Sequence, residues 1–127
     1  MCPVYINRIA SIHAESSNEK PYFSAQEPDY KEMITNANLR RRMSRMIKMG
    51  VACGLECLKD IPSEKVDAII TATGLGCLAD TEKFMNALMD NREQMLNPTA
   101  FIQSTFNTVG AQLALLLKIH AYNVTYV

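Results

Sequence analysis

The residues whose types and spacing could do chemistry lie in the stretch 66–84. Gly74 and Gly76 are two positions apart and Ala79 follows three positions later, which matches the G-x-G-x-x-(G/A) string of dinucleotide-binding turns. In such turns the glycines let the backbone approach a pyrophosphate at the start of a helix. The fingerprint also needs an acidic residue at the end of another strand about twenty residues later. Residues 90–98 instead suggest a helix end and a loop, so a sharp glycine turn out of a sheet is favoured and a dinucleotide site is the alternative.

The cysteines are the other reactive side chains, and they show no site spacing. Cys53 and Cys57 would share a helix face, but no histidine lies nearby, whereas a structural zinc site needs four ligands. Cys2 and Cys77 add no spacing typical of a small disulfide scaffold. We expect all four thiols to be reduced and to pack as small hydrophobic groups, and we predict neither a metal nor a cofactor.

The composition is that of an ordinary globular chain. Of 127 residues, 48% are hydrophobic and 20% are charged, and the formal net charge is zero. This length suits one domain, residues 1–127, that buries roughly two-thirds of its unfolded surface. Because there is no surplus of basic residues, the composition gives no indication of nucleic acid binding. The longest apolar run, 111–119, is too short to cross a bilayer and no signal peptide is recognisable, so we expect no membrane partner and a cytoplasmic location.

Two segments that precede the glycine turn supply the predicted flanks. Residues 4–12 are rich in β-branched side chains and predict a first strand, and the polar residues 13–30 predict a loop that could act as a lid. Asn36 or Asn38 can cap a helix that continues to Leu58 with one apolar stripe. Gly50 and Gly54 lie on that stripe, which favours close approach of the helix to a sheet.

The same helix carries a second face with a different character. Its basic residues could dock a phosphate or an acidic partner, although a solvated helix face is the commoner explanation. Its three methionines are more typical of core gap fillers than of a ligand set. The basic residues are Arg40, Arg41, Arg42, Arg45 and Lys48, and the methionines are Met43, Met46 and Met49.

The segments after the helix predict a parallel α/β arrangement. Residues 66–73 form an apolar, β-branched run that predicts a buried strand, followed by a helix near Asp80 and Glu82. Asn97 and Pro98 suit the cap and first turn of a further helix, and 107–119 is apolar on almost every side. Residues 122–127 predict a terminal strand. Because strand, helix and strand alternate, we expect an α/β fold with parallel pairing and right-handed crossovers.

The order of these motifs resembles the N-terminal half of β-ketoacyl-acyl-carrier-protein synthases. The resemblance spans about residues 38–127 and implies the first half of a thiolase-like fold. It depends on the order and spacing of the motifs together, because no single motif is diagnostic. The motifs are Ile70-Thr71-Ala72-Thr73-Gly74-Leu75-Gly76-Cys77-Leu78, then Asn97-Pro98, then Asn107-Thr108-Val109-Gly110-Ala111-Gln112-Leu113 before a terminal strand.

The resemblance also implies a chemistry, a decarboxylating Claisen condensation between an acyl thioester and malonyl-acyl-carrier-protein. Members use an activated cysteine thiolate and two histidines. The family cysteine follows the strand that resembles residues 123–127, and the histidines lie in the second half. None of the four cysteines matches the position of the family nucleophile. Neither His13 nor His120 matches the position of a family histidine. We therefore expect no catalytic residue in this chain, with acyl carrier protein and acyl thioester as the partners implied.

The resemblance carries over part of an acyl pocket and an interface. Residues just before the asparagine of the buried helix line the pocket in the family, and they correspond to Thr105 and Phe106, with Phe101 and Ile102 as weaker candidates. Without the resemblance, Phe106 would be assigned to the core. However, the hydroxyls of Ser104, Thr105 and Thr108 around it are unusual for a pure core.

The interface implied by the resemblance is a strand pair across a twofold axis. It would place Asn123, Val124, Thr125, Tyr126 and Val127 in a homodimer or heterodimer. Two functions follow from the resemblance. The chain is either the N-terminal portion of a 3-oxoacyl-acyl-carrier-protein synthase of fatty-acid or polyketide-like biosynthesis, or a non-catalytic partner subunit similar to chain-length factors.

Overall fold

A computed structural model of the chain describes residues 3–14 and 24–127. Cys2 and residues 15–23 of the predicted lid loop lie outside the described residues. Within them three helices precede the first strand and three more separate it from the second, an order that the α/β class allows. They are α1 (Tyr30–Met33), α2 (Ala37–Arg41), α3 (Arg45–Cys57), β1 (Ala68–Ala72), α4 (Leu78–Asp90), α5 (Pro98–Ser104), α6 (Thr108–Leu117) and β2 (Tyr122–Tyr126), with a 3-10 turn at Ser63–Lys65.

The two strands form a parallel pair, as the strand-helix-strand order predicted. Ala68 lies opposite Tyr122 and Ala72 lies opposite Tyr126. Three helices connect β1 to β2, because parallel strands cannot be joined by a tight turn. One face of β1 is covered and buries Ile69, whereas Ile70 on the other face is exposed. The glycine turn therefore leaves the carboxyl end of a strand that is buried on one side only.

The predicted helix from Asn36 to Leu58 is two helices, not one. Asn36 caps α2, since its side-chain oxygen accepts hydrogen bonds from the amides of Asn38 and Leu39 at 3.1 and 3.2 Å. The chain then breaks, and α3 begins after Ser44. The carbonyl oxygen of Arg42 accepts a hydrogen bond of 2.5 Å from the Gln103 side chain. The expectation of one continuous helix was wrong, and a distant side chain bonds the backbone at the point where the two helices separate.

Helices α3 and α6 pack closely along the two glycines of α3. A Cβ on Gly50 would lie 2.8 Å from Val109 Cγ1, and one on Gly54 would lie 2.5 Å from Leu113 Cδ1. The prediction of close approach was right, but its partner was wrong, because these glycines face a helix and not the sheet. The seam between α3 and α6 borders the core. Buried core residues are Ile34, Met43, Ile47, Val51, Ile69, Cys77, Leu113 and Ile119.

The predicted first strand, residues 4–12, is not formed. Residues 3–13 have no regular secondary structure, and Val4, Ile6 and Ile9 are exposed. Arg8 fixes this segment near the end of α3, where it pairs with Asp60 at 2.8 Å and donates to the Glu56 carbonyl at 3.1 Å. A β-rich sequence becomes a strand only when its backbone finds a partner, and in the described residues this segment has none alongside it.

The helix predictions near Pro98 are confirmed in part. The Asn97 side-chain oxygen accepts from the Thr99 amide at 2.9 Å, and Pro98 occupies the first turn of α5. Helix α6 was expected to be covered on most faces, but Leu115 is 68% exposed.

In the described residues, no single helix is long and apolar enough to cross a membrane. Helices α5 and α6 pass that test of length and composition only as a pair, and they are bent by 108°.

Candidate functional site

The candidate site begins with the turn that follows β1. The Thr73 hydroxyl accepts a hydrogen bond of 2.8 Å from the Gly76 amide, which closes the turn. Gly76 has a φ of 58°, in the left-handed region that disfavours side chains. Gly74 has open space around it, so only one of the two predicted glycines is required by the backbone. Helix α4 starts directly after Cys77, with Asp80 in its first turn.

Phe106 lies directly on this turn. A Cβ at Gly76 would overlap the ring carbons Cδ1 and Cε1 of Phe106, so the absence of a side chain at Gly76 makes room for the ring. Phe106 itself is 46% exposed. It is therefore neither sealed in the core nor remote from a cavity. The structure brings together two of the residues singled out in the sequence, Gly76 and Phe106.

A groove of about 390 Å³ opens beside the ring, between α3, β1 and α6. Apolar side chains and backbone make up most of its wall. A second groove of about 370 Å³ shares Met46, Gly76 and Cys77 with it and continues toward Leu75 and Leu78. The first groove is lined by Met46, Gly50, Gly54, Ile69, Ile70, Thr71, Ala72, Thr73, Gly76, Cys77, Phe106, Val109, Leu113 and Thr125.

The other predicted pocket residues do not line this groove. Phe101 packs edge-on against Phe84, with ring centroids 5.6 Å apart. Ile102 is exposed, and its carbonyl accepts from the Thr105 hydroxyl at 3.0 Å. The Thr105 hydroxyl also contacts that of Thr108 at 2.6 Å. Of the four predicted pocket residues, Phe106 alone reaches the groove.

The hydroxyls around Phe106 have a structural task. Ser104 Oγ donates to the Phe101 carbonyl at 2.7 Å, and buried Thr108 donates to the Ile102 carbonyl. These carbonyls lie in the last turn of α5, where the helix leaves acceptors without partners. The hydroxyls thus satisfy the end of α5, and they are not among the residues that line the groove at Phe106.

Two cysteines have the properties of structural thiols. Burial raises the pKa of the Cys77 thiol, and Asp80 raises it further. Burial also raises the pKa of Cys53, with a further contribution from Cys57. A nucleophilic cysteine needs a lowered pKa, so neither thiol is activated. In the described part of the chain, no group of three or more histidine, cysteine and acidic side chains could hold a metal ion.

Two of the predicted basic residues bond within the chain. Arg45 Nε donates to Glu27 at 2.5 Å, and the Tyr30 hydroxyl donates to the same carboxylate at 2.6 Å. These two bonds, with Tyr30 first, lower the pKa of Glu27. Arg40 donates to the Ile34 carbonyl. At least these two cations are engaged in holding the segment before α1 and the turn after it.

The residues after the glycine turn do not form the second part of the dinucleotide fingerprint, which is an acidic residue at the end of another strand. Residues about twenty positions after the glycine turn form the end of α4 and an irregular turn, in which Arg92, Glu93 and Met95 have positive φ angles. No strand lies there to present an acidic side chain to a ribose. Together with the apolar wall of the groove, this disfavours a dinucleotide.

The terminal strand β2 has one packed and one open side. Asn123 packs against α6, where its Oδ1 lies 2.7 Å from the position of a Cβ on Gly110. The Thr125 hydroxyl lies 2.5 Å from that of Thr71 across the strand pair. Tyr122, Tyr126 and Val127 are exposed. Tyr126 and Val127, two of the five residues predicted at a dimer interface, therefore leave apolar surface uncovered within this chain, and so does the neighbouring Tyr122.

Sequence reasoning missed several residues of the groove, Met46 and Val109 among them. A signal for Met46 was present, since it precedes Gly50 and Gly54 on the apolar stripe of α3 at intervals of four. That interval places all three on one helix face. No local pattern could have indicated Val109, because its position depends on how α6 packs across α3.

The fold matches that of one chain in a solved ketosynthase complex. A chain of the ketosynthase (ApeO) in complex with its chain length factor (ApeC) from Xenorhabdus doucetiae superposes with a TM-score of 0.60. The two chains are 24% identical, and the match covers 81% of this chain and 40% of that one. At this identity the match establishes the fold alone, a fragment of the thiolase-like fold. The chain spans 40% of the length of the chain it matches.

Comparison of sequences gives the family. No curated protein matches the chain. The family profile described as beta-ketoacyl synthase, N-terminal domain, matches residues 13–125, which include the glycine turn, Phe106 and nearly all of β2. The chain therefore belongs to the family of β-ketoacyl synthase N-terminal domains.

Proposed function

We propose that this chain is one α/β domain that forms the N-terminal half of a 3-oxoacyl-acyl-carrier-protein synthase. The complete enzyme would condense an acyl thioester with malonyl-acyl-carrier-protein in fatty-acid or polyketide-like biosynthesis. The observation that carries the proposal is the family match over residues 13–125. The nucleophile and the two histidines implied by the resemblance would come from residues after β2, so this half contributes binding and not bond making.

The groove at Phe106 supports an apolar acyl group as the ligand. Its lining includes Met46, Val109 and Leu113 and contains no charged side chain. A phosphate or a sugar would leave polar groups unpaired there, whereas burial of a methylene contributes about 0.8 kcal/mol. The groove also lies at the carboxyl end of a parallel strand, where ligands of open α/β folds collect. In this proposal Phe106 forms the wall of the acyl pocket.

Exposed β2 supports the dimer part of the proposal. An uncovered strand edge invites association, and Tyr122 and Tyr126 add apolar surface beside it. Residues 123–127 of two subunits would pair across a twofold axis, either in a homodimer or in a heterodimer. The acyl carrier protein would be the transient partner that delivers the thioester.

A non-catalytic subunit similar to chain-length factors is the second candidate. Its support is the matching structure, which is a ketosynthase in complex with a chain length factor. The high pKa values of Cys53 and Cys77 suit both candidates equally. The complete coding sequence separates them, since a cysteine within a few residues after Val127 favours a synthase and another residue there favours the partner subunit.

Binding of acyl pantetheine thioesters of increasing length tests the groove. We expect the affinity to rise by about fourfold for each added methylene until the groove is filled. Phe106→Ala should move that plateau to longer chains, and Met89→Ala on the exposed side of α4 should leave it unchanged. Calorimetric titration measures both. Affinity that does not depend on chain length would contradict an acyl groove.

Condensation is tested by co-expression with a polypeptide that supplies the second half of a synthase. We expect the pair to form β-ketoacyl product from acyl and malonyl carrier protein, and the present chain alone to form none. Turnover by the chain alone, abolished by substitution of Cys53 or Cys77, would show that the nucleophile has been misplaced. A pair that assembles but remains inactive would favour the partner subunit.

A further inference from the structure

Two grooves meet at Met46 of α3. One is the groove of about 390 Å³ beside Phe106, called here the Phe106 groove. The other, the second groove, has about 370 Å³ and reaches the first turn of α4. Three residues line both grooves, Met46, Gly76 and Cys77. The wall between the two spaces is therefore built from these three residues.

Of the three shared residues, only Met46 has a side chain that is free to move. Gly76 has no side chain, and its amide is fixed by the hydrogen bond of 2.8 Å to the Thr73 hydroxyl. Cys77 is 5% exposed and belongs to the core, so its packed neighbours hold it in place. Met46 is 52% exposed, and a methionine side chain is unbranched with three rotatable bonds. Met46 is therefore the movable part of the wall.

The second groove offers the surface that an alkyl chain needs. The apolar side chains of Met49, Leu75 and Leu78 line it. Leu75 is 71% exposed and Leu78 is 57% exposed. A chain laid along this groove would remove that apolar surface from water, which is favourable.

The polar residues of the second groove do not oppose an alkyl chain. The Ser44 hydroxyl is buried beneath the surface. Arg45 donates to the Glu27 carboxylate at 2.5 Å, so this cation already has a partner. Asp80 lies in the first turn of α4, where the helix dipole stabilises a carboxylate. None of the three needs a charged ligand in the groove.

We propose that Met46 ends the acyl pocket and that the second groove is its extension, so that residue 46 determines the acyl length. The inference rests on the proposed function, because it takes the Phe106 groove as the acyl site. With Met46 in its observed position, the chain stops at this side chain. A smaller residue at position 46 joins the two grooves, and the missing side chain of Gly76 leaves the passage open.

Calorimetric titration of acyl pantetheine thioesters of increasing length tests this role of Met46. In the unaltered protein the affinity should rise by about fourfold for each methylene and then reach a plateau. In Met46→Ala the rise should continue beyond that plateau, so that the longest chains bind at least about tenfold more tightly than to the unaltered protein. Chains shorter than the plateau should change little.

A second substitution identifies the space that the longer chains enter. Leu78 lines the second groove only, and Leu78→Trp should fill it. Alone, Leu78→Trp should leave the plateau where it is. Combined with Met46→Ala, it should return the plateau to the length found for the unaltered protein. A merely structural role of Met46 would not produce this reversal.

Two control variants guard against a general effect of substitution. Met85→Ala removes a methionine that is 46% exposed on α4 and lines neither groove, and it should leave the plateau unchanged. Met46→Phe keeps a large side chain at the junction of the grooves and should not lengthen the accepted chains. If Met46→Ala were unstable, the opposite responses of Met46→Phe and Met46→Ser would still test the proposal.

Two results would overturn the proposal alone. One is a plateau that Met46→Ala leaves unchanged, and the other is a longer plateau that persists when Leu78→Trp is added. Affinity that does not depend on chain length in the unaltered protein would instead refute the acyl groove itself, and this inference with it.

Discussion

Two apolar regions of this molecule are built on glycine, the seam between α3 and α6 and the turn at Gly76. In the seam, Gly50 and Gly54 are helical and provide only space for Val109 and Leu113. In the turn, Gly76 provides space for Phe106 and also adopts a positive φ. The seam borders the buried core, whereas Phe106 stays half exposed. Residues of both regions line the groove, but glycine in the seam only makes room for a neighbouring side chain, whereas glycine in the turn also permits a backbone conformation that side chains disfavour.

The largest effect is expected where α3 enters the core. Ile47 is 1% exposed, and Ile47→Ala should lower the free energy of unfolding by about 2–5 kcal/mol, because a cavity is left. Urea denaturation measures the change. Met89→Ala at an exposed position of α4 should stay within about 0.5 kcal/mol. Equal effects at the two positions would mean that the α3 core does not carry the stability.

Gly76→Val comes next. The left-handed backbone should cost about 1–3 kcal/mol, and the new side chain also displaces the Phe106 ring. The matched control is Gly74→Val, for which the space around the backbone is open. Combining Gly76→Val with Phe106→Ala should recover the steric part of the loss but not the backbone part. An unchanged melting temperature in Gly76→Val would refute the strained turn.

Phe106→Ala should cost less than a core truncation. Because the ring is 46% exposed, we expect a loss of about 1–2 kcal/mol, against roughly 3–5 kcal/mol for a buried phenylalanine. Thermal and urea denaturation measure this beside the acyl titration. A loss as large as that of Ile47→Ala, without any change in acyl preference, would assign Phe106 to the core and remove the contrast between the regions.

The smallest effect lies at the end of α6, outside both regions. Lys118 has a φ of 54°, which glycine adopts without strain. Removal of this backbone strain should contribute about 1–2 kcal/mol, and the greater conformational freedom of glycine in the unfolded chain should offset part of it. We therefore expect Lys118→Gly to be more stable by about 0.5–1 kcal/mol. Lys83→Gly within α4 should have the opposite sign, with a loss of about 1 kcal/mol. Destabilisation by both would contradict a left-handed cap at Lys118.

Patterns of a few neighbouring residues were sufficient to predict a strand, a helix start and a turn. The strand before the glycines, the Asn97 cap with Pro98 and the glycine turn itself each depend on residues within a few positions, and each is present. The parallel pairing of β1 and β2 followed from the order of the elements. These features needed no knowledge of distant contacts.

Features that depend on distant partners were predicted wrongly or missed. The break before α3 coincides with a bond from Gln103, which is 61 positions from Arg42. Periodicity identified the face of Gly50 and Gly54 but not the helix that packs on it. Phe106 entered through the family resemblance, and its contact with Gly76 could not be inferred from spacing. Residues 4–12 have the composition of a strand, but whether another strand pairs with them is not determined by the segment itself, and they form no strand.

The pairing of β1 with β2 also constrains how the protein is made. Thr71 and Thr125 lie opposite each other but are 54 residues apart in the chain. A ribosome adds roughly 5–20 residues per second, so the partner strand is synthesised about 3–11 seconds after β1. During that time Ile69 and Ile70 lie in an unpaired, apolar edge that other nascent chains can join. Translation speed across α4–α6, and the chaperones present at the ribosome, will therefore affect the yield of folded protein.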